Sequence, residues 1–225
     1  MDSMAPMRKE LAYRPITAFL VTSLVVAALS LVGGSASLAR AATDPMTVVK
    51  TVVDQALEVL KDHQTPLPQR QQKLRELVNK NFDFRAMARS ALGYHWRNIT
   101  PEQREEFTKA FTAFVQDSYL SRMQDYSGQQ VEVVSSRSQG DGYAEVMTKI
   151  VQNGKQPVPV DYLLHRKDDG WRIYDVTVDN ISIIANYRNQ FNRVVNNQGF
   201  DKLLQDLKNK QAELAARLGN SQHAD

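Results

Sequence analysis

Cysteine is absent from all 225 residues. That excludes a disulfide framework, a thiolate zinc or iron–sulfur site, a cysteine nucleophile and anchoring through a lipidated cysteine. The short motifs in which much enzyme chemistry is concentrated are missing too. There is no Gly-x-Ser-x-Gly elbow, no His-Glu-x-x-His, no Gly-x-x-x-x-Gly-Lys phosphate loop and no Gly-x-Gly-x-x-Gly after a strand. The four histidines, His63, His95, His165 and His223, are scattered, so they form no ligand set by spacing. Internal repeats and low-complexity tracts are lacking. What is present is an ordinary globular composition, 42% hydrophobic and 24% charged. Length allows one domain or two small ones, with room for a core.

The sequence pI near 9.0 invites a nucleic-acid reading. Its source argues against one. Arg8, Lys9 and Arg14 precede an uncharged run, Ile16 to Val32, which Gly33-Gly34-Ser35 breaks before Ala39-Arg40-Ala41. This order of basic, apolar and small residues reads as a secretory signal peptide over residues 1–41, cleaved near Ala41. Its loss removes the basic residues Arg8, Lys9, Arg14 and Arg40 and the acidic residues Asp2 and Glu10. Of 28 basic and 25 acidic residues, 24 and 23 then remain, a net charge of +1. The basic surplus is mostly an export signal, and the electrostatic argument for nucleic acid falls away. Export without cysteine suits a periplasm.

The remainder, 42–225, reads as a single domain of helices, then a meander, then helices. Asp44 or Thr43 caps a first helix with Pro45 at its first position. A second helix is expected over 69–81, and a third over 84–92 ending at Gly93. Thr100-Pro101-Glu102-Gln103 is a capping box opening a helix with the apolar stripe Phe107, Phe111, Phe114, Val115, Tyr119 and Met123. The helical part thus covers about 44–127. From 128 to 179 the pattern is strand-like, with turns at Gly140-Asp141-Gly142, Asn153-Gly154 and Asp168-Asp169-Gly170. About four strands result. Ser182 caps a returning helix, Gly199 breaks it, and an amphipathic helix runs to Leu218. The fold class is α+β: a curved antiparallel sheet covered by helices, an NTF2-like or cystatin-like cone with an added helical part.

Such cones host enzymes with an Asp general base. Asp175 and Asp179 lie at spacing that puts strand residues on one face, so they are the candidate carboxylates of an enzyme alternative. His95, within Gly93-Tyr94-His95-Trp96, reads as a packed histidine or one making a surface hydrogen bond, in preference to a catalytic one.

Two stretches carry a family signature. One is Phe82-Asp83-Phe84-Arg85-Ala86-Met87-Ala88-Arg89, Ala91-Leu92-Gly93-Tyr94-His95-Trp96-Arg97 and Thr100-Pro101-Glu102-Gln103-Arg104 with Phe107. The other is Trp171-Arg172-Ile173-Tyr174-Asp175-Val176, Asn180-Ile181-Ser182, Tyr187-Arg188-Asn189-Gln190-Phe191 and Gly199-Phe200. Together they resemble the MlaC, or toluene-tolerance (Ttg2), family over about Pro45 to Leu214. Asn180 stands where the family usually has Gly, and Asn tolerates the left-handed conformation.

The resemblance implies a periplasmic carrier rather than an enzyme, with no cofactor and a glycerophospholipid as cargo. It implies an inner-membrane Mla ABC transporter complex with an MCE-domain ring and an outer-membrane lipoprotein complex as partners. The implied role is maintenance of outer-membrane lipid asymmetry, with a hopanoid as the alternative cargo. The apolar residues offer a candidate cavity wall: Phe107, Phe111, Val115, Tyr119 and Met123 on the long helix, Val146, Ile150 and Leu163 on inner strands, Tyr174, Val176 and Val178 on the last, and Tyr187 and Phe191 on the returning helix. Arg85 and Arg89 share a helix face and, with Arg97, are candidates for a partner or head-group contact.

Overall fold

The computed structural model of the protein describes residues 44–121 and 126–220. The export segment expected over 1–41 and Met123 lie outside those residues.

Helix α1 (Pro45–Lys61) starts because Asp44 accepts the backbone N–H groups of Met46 and Thr47, while Pro45 sits where no donor is needed. It buries Val49, Val52, Val53, Leu57 and Leu60 along one face. Helix α2 (Leu67–Asn81) begins two residues earlier than the sequence suggests, since Pro68 fits the first turn. It is a polar helix that buries only Gln71 and Leu74. Asp83 caps α3 (Phe84–Leu92), and Gly93 ends it at φ 61°. The chain then continues as a 3-10 helix, Gly93–Asn98, which helical periodicity did not anticipate. Both halves of the Thr100–Gln103 capping box form at the start of α4 (Pro101–Leu120).

Strands β1 (Gln130–Ser138), β2 (Tyr143–Val151), β3 (Val158–Lys167), β4 (Gly170–Val178) and β5 (Ile181–Ser182) form one antiparallel sheet in sequence order. The expected four-strand meander therefore gains a short fifth strand. Asp179 and Asn180 both take positive φ, 49° and 63°, and make the two-residue turn that pairs Val178 with Ile181. Ser182 then caps α5 (Ile183–Gln198), and α6 (Phe200–Asn220) follows Gly199. No helix of the described residues is long and apolar enough to cross a membrane.

Apolar side chains gather in two clusters. The buried residues of the first lie on α3, α4, α5 and α6, apart from Ile99 just before α4. The second lies between the inner face of the sheet and α1, α2 and the C-terminal ends of α4 and α6. Phe82 and Val176 pack against both. Across the inner face the register sets three rows: Ala144–Leu164–Ile173, Val146–Tyr162–Val176 and Thr148–Val160–Val178.

Candidate functional site

The wall expected from sequence divides into three groups in space. Phe107, Phe111, Tyr187 and Phe191 belong to the helix-only cluster, with at most 2% of their surface accessible. Their rings meet edge to face, Phe107 on Phe191 at 5.9 Å and Phe111 on Tyr187 at 5.7 Å between centroids. They are packed among α3, α5 and α6 and do not stand in the rows of the sheet's inner face. Val115 is buried in the same cluster and Tyr119 packs against it half-buried.

Val146, Ile150, Val176 and Val178 do share the inner face of the sheet. Leu163 and Tyr174 do not, and this corrects their placement on the wall. Leu163 pairs with Glu145 and Asp175, so its neighbour Leu164 is the inward residue. A bulge between Leu163 and Leu164 gives β4 one extra residue and breaks its alternation there. Tyr174 instead meets Tyr143 at 5.9 Å and His165 at 5.5 Å on the outer side.

Sequence reasoning missed the residue that best marks an interior space. Tyr162 stands in the middle of the central inner row, between Val146 and Val176. Desolvation pushes its pKa up to about 12. The residue is nevertheless only partly buried against the second cluster. Val131, Val133, Leu77, Tyr126 and Val176 are also only partly buried where they pack on this second cluster. The Tyr126 hydroxyl is buried without a hydrogen-bond partner, and burial raises its pKa. The alternations Val131/Val133 and Val160/Tyr162/Leu164 were the signal that could have found this lining.

Polar groups close the region. Arg75 of α2 pairs with Asp117 of α4 at 2.5 Å, and Gln211 of α6 donates to the same carboxylate at 2.8 Å. Gln116 donates to Asn79 at 2.7 Å. The polar helix α2 is thus tied to α4 through an ion pair and a hydrogen bond, and Gln211 of α6 shares the Asp117 anchor. Asp83 joins the helical part to the sheet, accepting from Lys167 at 2.8 Å and meeting His165 at 3.1 Å. Burial alone would raise its pKa, but Lys167, the Ala86 N–H and His165 together hold it below the usual carboxylate value.

The two candidate catalytic carboxylates do not form a pair. Asp179 is exposed in the turn beyond β4. Asp175 Oδ1 accepts from the backbone of Val176 at 2.8 Å and Ile184 at 3.2 Å, and Oδ2 accepts from Ser182 Oγ at 2.6 Å. Ser182 in turn caps α5 by accepting from Ala185. Burial raises the pKa of Asp175 against these hydrogen bonds and the Arg188 charge. The carboxylate is occupied in starting α5. Asp175→Ala should therefore lower stability by about 1–3 kcal/mol, read as a drop in urea midpoint.

His95 is buried, which decides for packing over a surface hydrogen bond; its Nε2 has no partner, and burial lowers its pKa. The unfolded chain then takes up a proton at a higher pH than the native protein does. Stability should fall as pH drops through about 6.5, and the loss is complete below the depressed native pKa. His95→Phe should flatten that part of a Tm-versus-pH curve. A mutant curve as steep as wild type between pH 7.5 and 5.5 would contradict this.

Of the three candidate arginines, Arg85 is tied to Glu105, while Arg89 and Arg97 are exposed.

Comparison with known proteins agrees with this architecture. The family model for MlaC protein matches residues 50–209. The intermembrane phospholipid transport system binding protein MlaC of Haemophilus influenzae is 23% identical over 197 residues, covering 84% of this chain and 86% of its own. The toluene tolerance protein ttg2D of Pseudomonas putida is 28% identical over 105 residues, about half of each chain. A phospholipid-binding protein of Ralstonia solanacearum, solved in complex with a phospholipid, superposes with TM-score 0.68 at 28% identity, over 77% of this chain and 99% of its own. With its helix-covered antiparallel sheet and a family match spanning most of its length, the chain belongs to the MlaC protein family.

Proposed function

We propose that the protein is a periplasmic carrier that holds the acyl chains of a glycerophospholipid between its sheet and its helices. The observation that carries this reading is the apolar inner face of the sheet, where Tyr162 holds the central row and, with its neighbours, is only partly buried under the helices. The phospholipid in the Ralstonia relative supports the same cargo class. The lining we assign is Val146, Ile150, Tyr162, Val176 and Val178 from the sheet, with Val131, Val133, Leu77 and Tyr126 around them.

The physical need is simple. Each buried CH₂ is worth about 0.8 kcal/mol, so two long acyl chains do not cross water bare. A dry interior supplies the missing solvent, and the head group stays near water. Transfer then needs no covalent chemistry. It needs a partner that opens the interior and lowers its affinity for lipid. In this reading residues 1–41 direct export, 42–225 form one lipid-binding domain, and the carrier moves lipid between an inner-membrane Mla ABC transporter complex with an MCE-domain ring and an outer-membrane lipoprotein complex. Outer-membrane lipid asymmetry is the expected consequence.

Organic extraction and mass spectrometry of the purified protein test this. A glycerophospholipid in stoichiometric amount is expected. A polycyclic terpenoid in its place would assign a hopanoid cargo instead. No lipid, both as purified and after refolding with added phospholipid, would sink the carrier reading.

A further inference from the structure

Two segments of the chain are strongly biased in charge. Residues 84–101 contain Arg85, Arg89 and Arg97, with no Asp, Glu or Lys. Residues 180–200 contain Arg188 and Arg193, again with no Asp, Glu or Lys. The chain elsewhere mixes both signs, and most of its surface cations sit in ion pairs such as Lys50–Asp54, Lys202–Asp206 and Lys208–Glu106.

The fold packs these two segments together, α3 and the 3-10 helix against α5. Arg188 Nε donates to the carbonyl of Ser90, one of the unpaired carbonyls at the end of α3, at 2.6 Å. Gly93 leaves room for this, since a Cβ there would lie 3.4 Å from Arg188 Cγ. Tyr94 is 56% exposed and its hydroxyl donates to Asn196 of α5 at 2.7 Å, so the ring is fixed. Residues three apart eclipse on a 3-10 helix, so Arg97 stands on the same side as Tyr94. The carboxylates that reach these segments from other parts of the chain are engaged: Asp83 caps α3 and meets Lys167, Glu105 of α4 is spent on Arg85, and Asp175 of β4, whose ionisation Arg188 favours, accepts from Ile184. Among the described residues no carboxylate pairs with Arg89 or Arg97.

We propose that this face docks an acidic segment of a protein partner, with Arg89 and Arg97 binding carboxylates and Tyr94 as the apolar contact. The composition selects a protein over a bilayer. Arg and Tyr are the side chains enriched at protein interfaces, where Lys is depleted. Adsorption to anionic lipid does not discriminate Arg from Lys, and it is strengthened by apolar groups that insert. Here every cation is Arg, and the exposed aromatic is held by Asn196. The planar guanidinium binds a carboxylate with two parallel hydrogen bonds, which an ammonium does not. The proposal deepens the carrier reading, because a shuttle must recognise what it unloads to, yet it does not depend on the cargo.

The test uses the purified full chain with fluorescein-labelled polyglutamate, and separately with vesicles of phosphatidylglycerol. Arg89→Glu/Arg97→Glu should weaken polyglutamate binding at least tenfold. Lys80→Glu/Lys109→Glu, the same charge change on α2 and α4, should weaken it less than twofold. Arg89→Lys/Arg97→Lys should also lose several-fold. Equal losses in the two Glu pairs, or vesicle binding tighter than polyglutamate and retained by the Lys variant, would overturn the proposal. Native mass spectrometry of the same samples separates the two readings. Lipid present with unchanged polyglutamate binding removes the docking face alone, and lipid absent from wild type removes the carrier reading alone.

Discussion

Val176→Glu is expected to leave the protein folded but without bound lipid. Val176 ends the central inner row, beside Tyr162, and packs against both apolar clusters. A carboxylate there faces acyl chains with no cation on the row to pair with it. An unpaired charge in such a place costs several kcal/mol whenever lipid excludes water from it. Val176 is only partly buried in the lipid-free protein, which leaves the same carboxylate some contact with water, so folding loses less than binding does. The expected result is at least a tenfold fall in lipid per folded molecule by mass spectrometry, with a far-ultraviolet circular dichroism spectrum like wild type. Thr177→Lys is the control. Thr177 is the next residue, on the outer face opposite Asp161, and the added charge meets water and a carboxylate. It should keep its lipid. A folded Val176→Glu protein with a full lipid load would refute the interior assigned here.

Phe111→Ala should do the reverse. Phe111 has no accessible surface and lies edge-on to Tyr187 and Phe191, at 5.7 and 6.0 Å between centroids. Removing a ring from such packing costs about 3–5 kcal/mol, which in a domain of this size lowers Tm by about 10 °C. Because the ring belongs to the helix-only cluster, lipid per folded molecule should stay as in wild type. Thermal unfolding and lipid quantification on one sample decide it. Lost lipid with a small Tm change would return Phe111 to the wall.

These two variants follow the line that divides what the chain states openly from what it conceals. Helix starts were legible because capping is local. Asp44, Asp83, Thr100 with Gln103, and Ser182 each bond a backbone N–H within three residues, so the side chain and its partner are read in one window. The hairpin turns were legible for the same reason. The fifth strand was not, because Asp179-Asn180 carries its turn in two positive φ values that Asp and Asn tolerate but do not require. Strand spacing offered Asp175 and Asp179 as candidate carboxylates of one face, but the strand ends at Val178 and Asp179 lies in the turn beyond it.

The site was less legible than the fold. An apolar stripe on α4 announces that Phe107 and Phe111 are inside, and inside means either core or wall. Which one depends on what lies opposite, and the helix-only cluster decides it. The bulge at Leu163/Leu164 is similarly invisible, yet it sends Tyr174 to the outer side while Val176 stays inward.

The sequence by itself determined the order of the six α-helices and four long strands, the α+β class, the absence of thiol chemistry and the family, because these rest on residue types and short spacings. The cysteine-free composition and the two acid-free, arginine-bearing segments are readable without coordinates. Only the tertiary structure decided that those two segments pack together, that Asp175 is consumed in capping α5, and that Tyr162 lies in the central row of the inner face. Each of these depends on pairings between residues far apart in the chain, and such pairings are fixed by sheet register and helix packing, not by local preference.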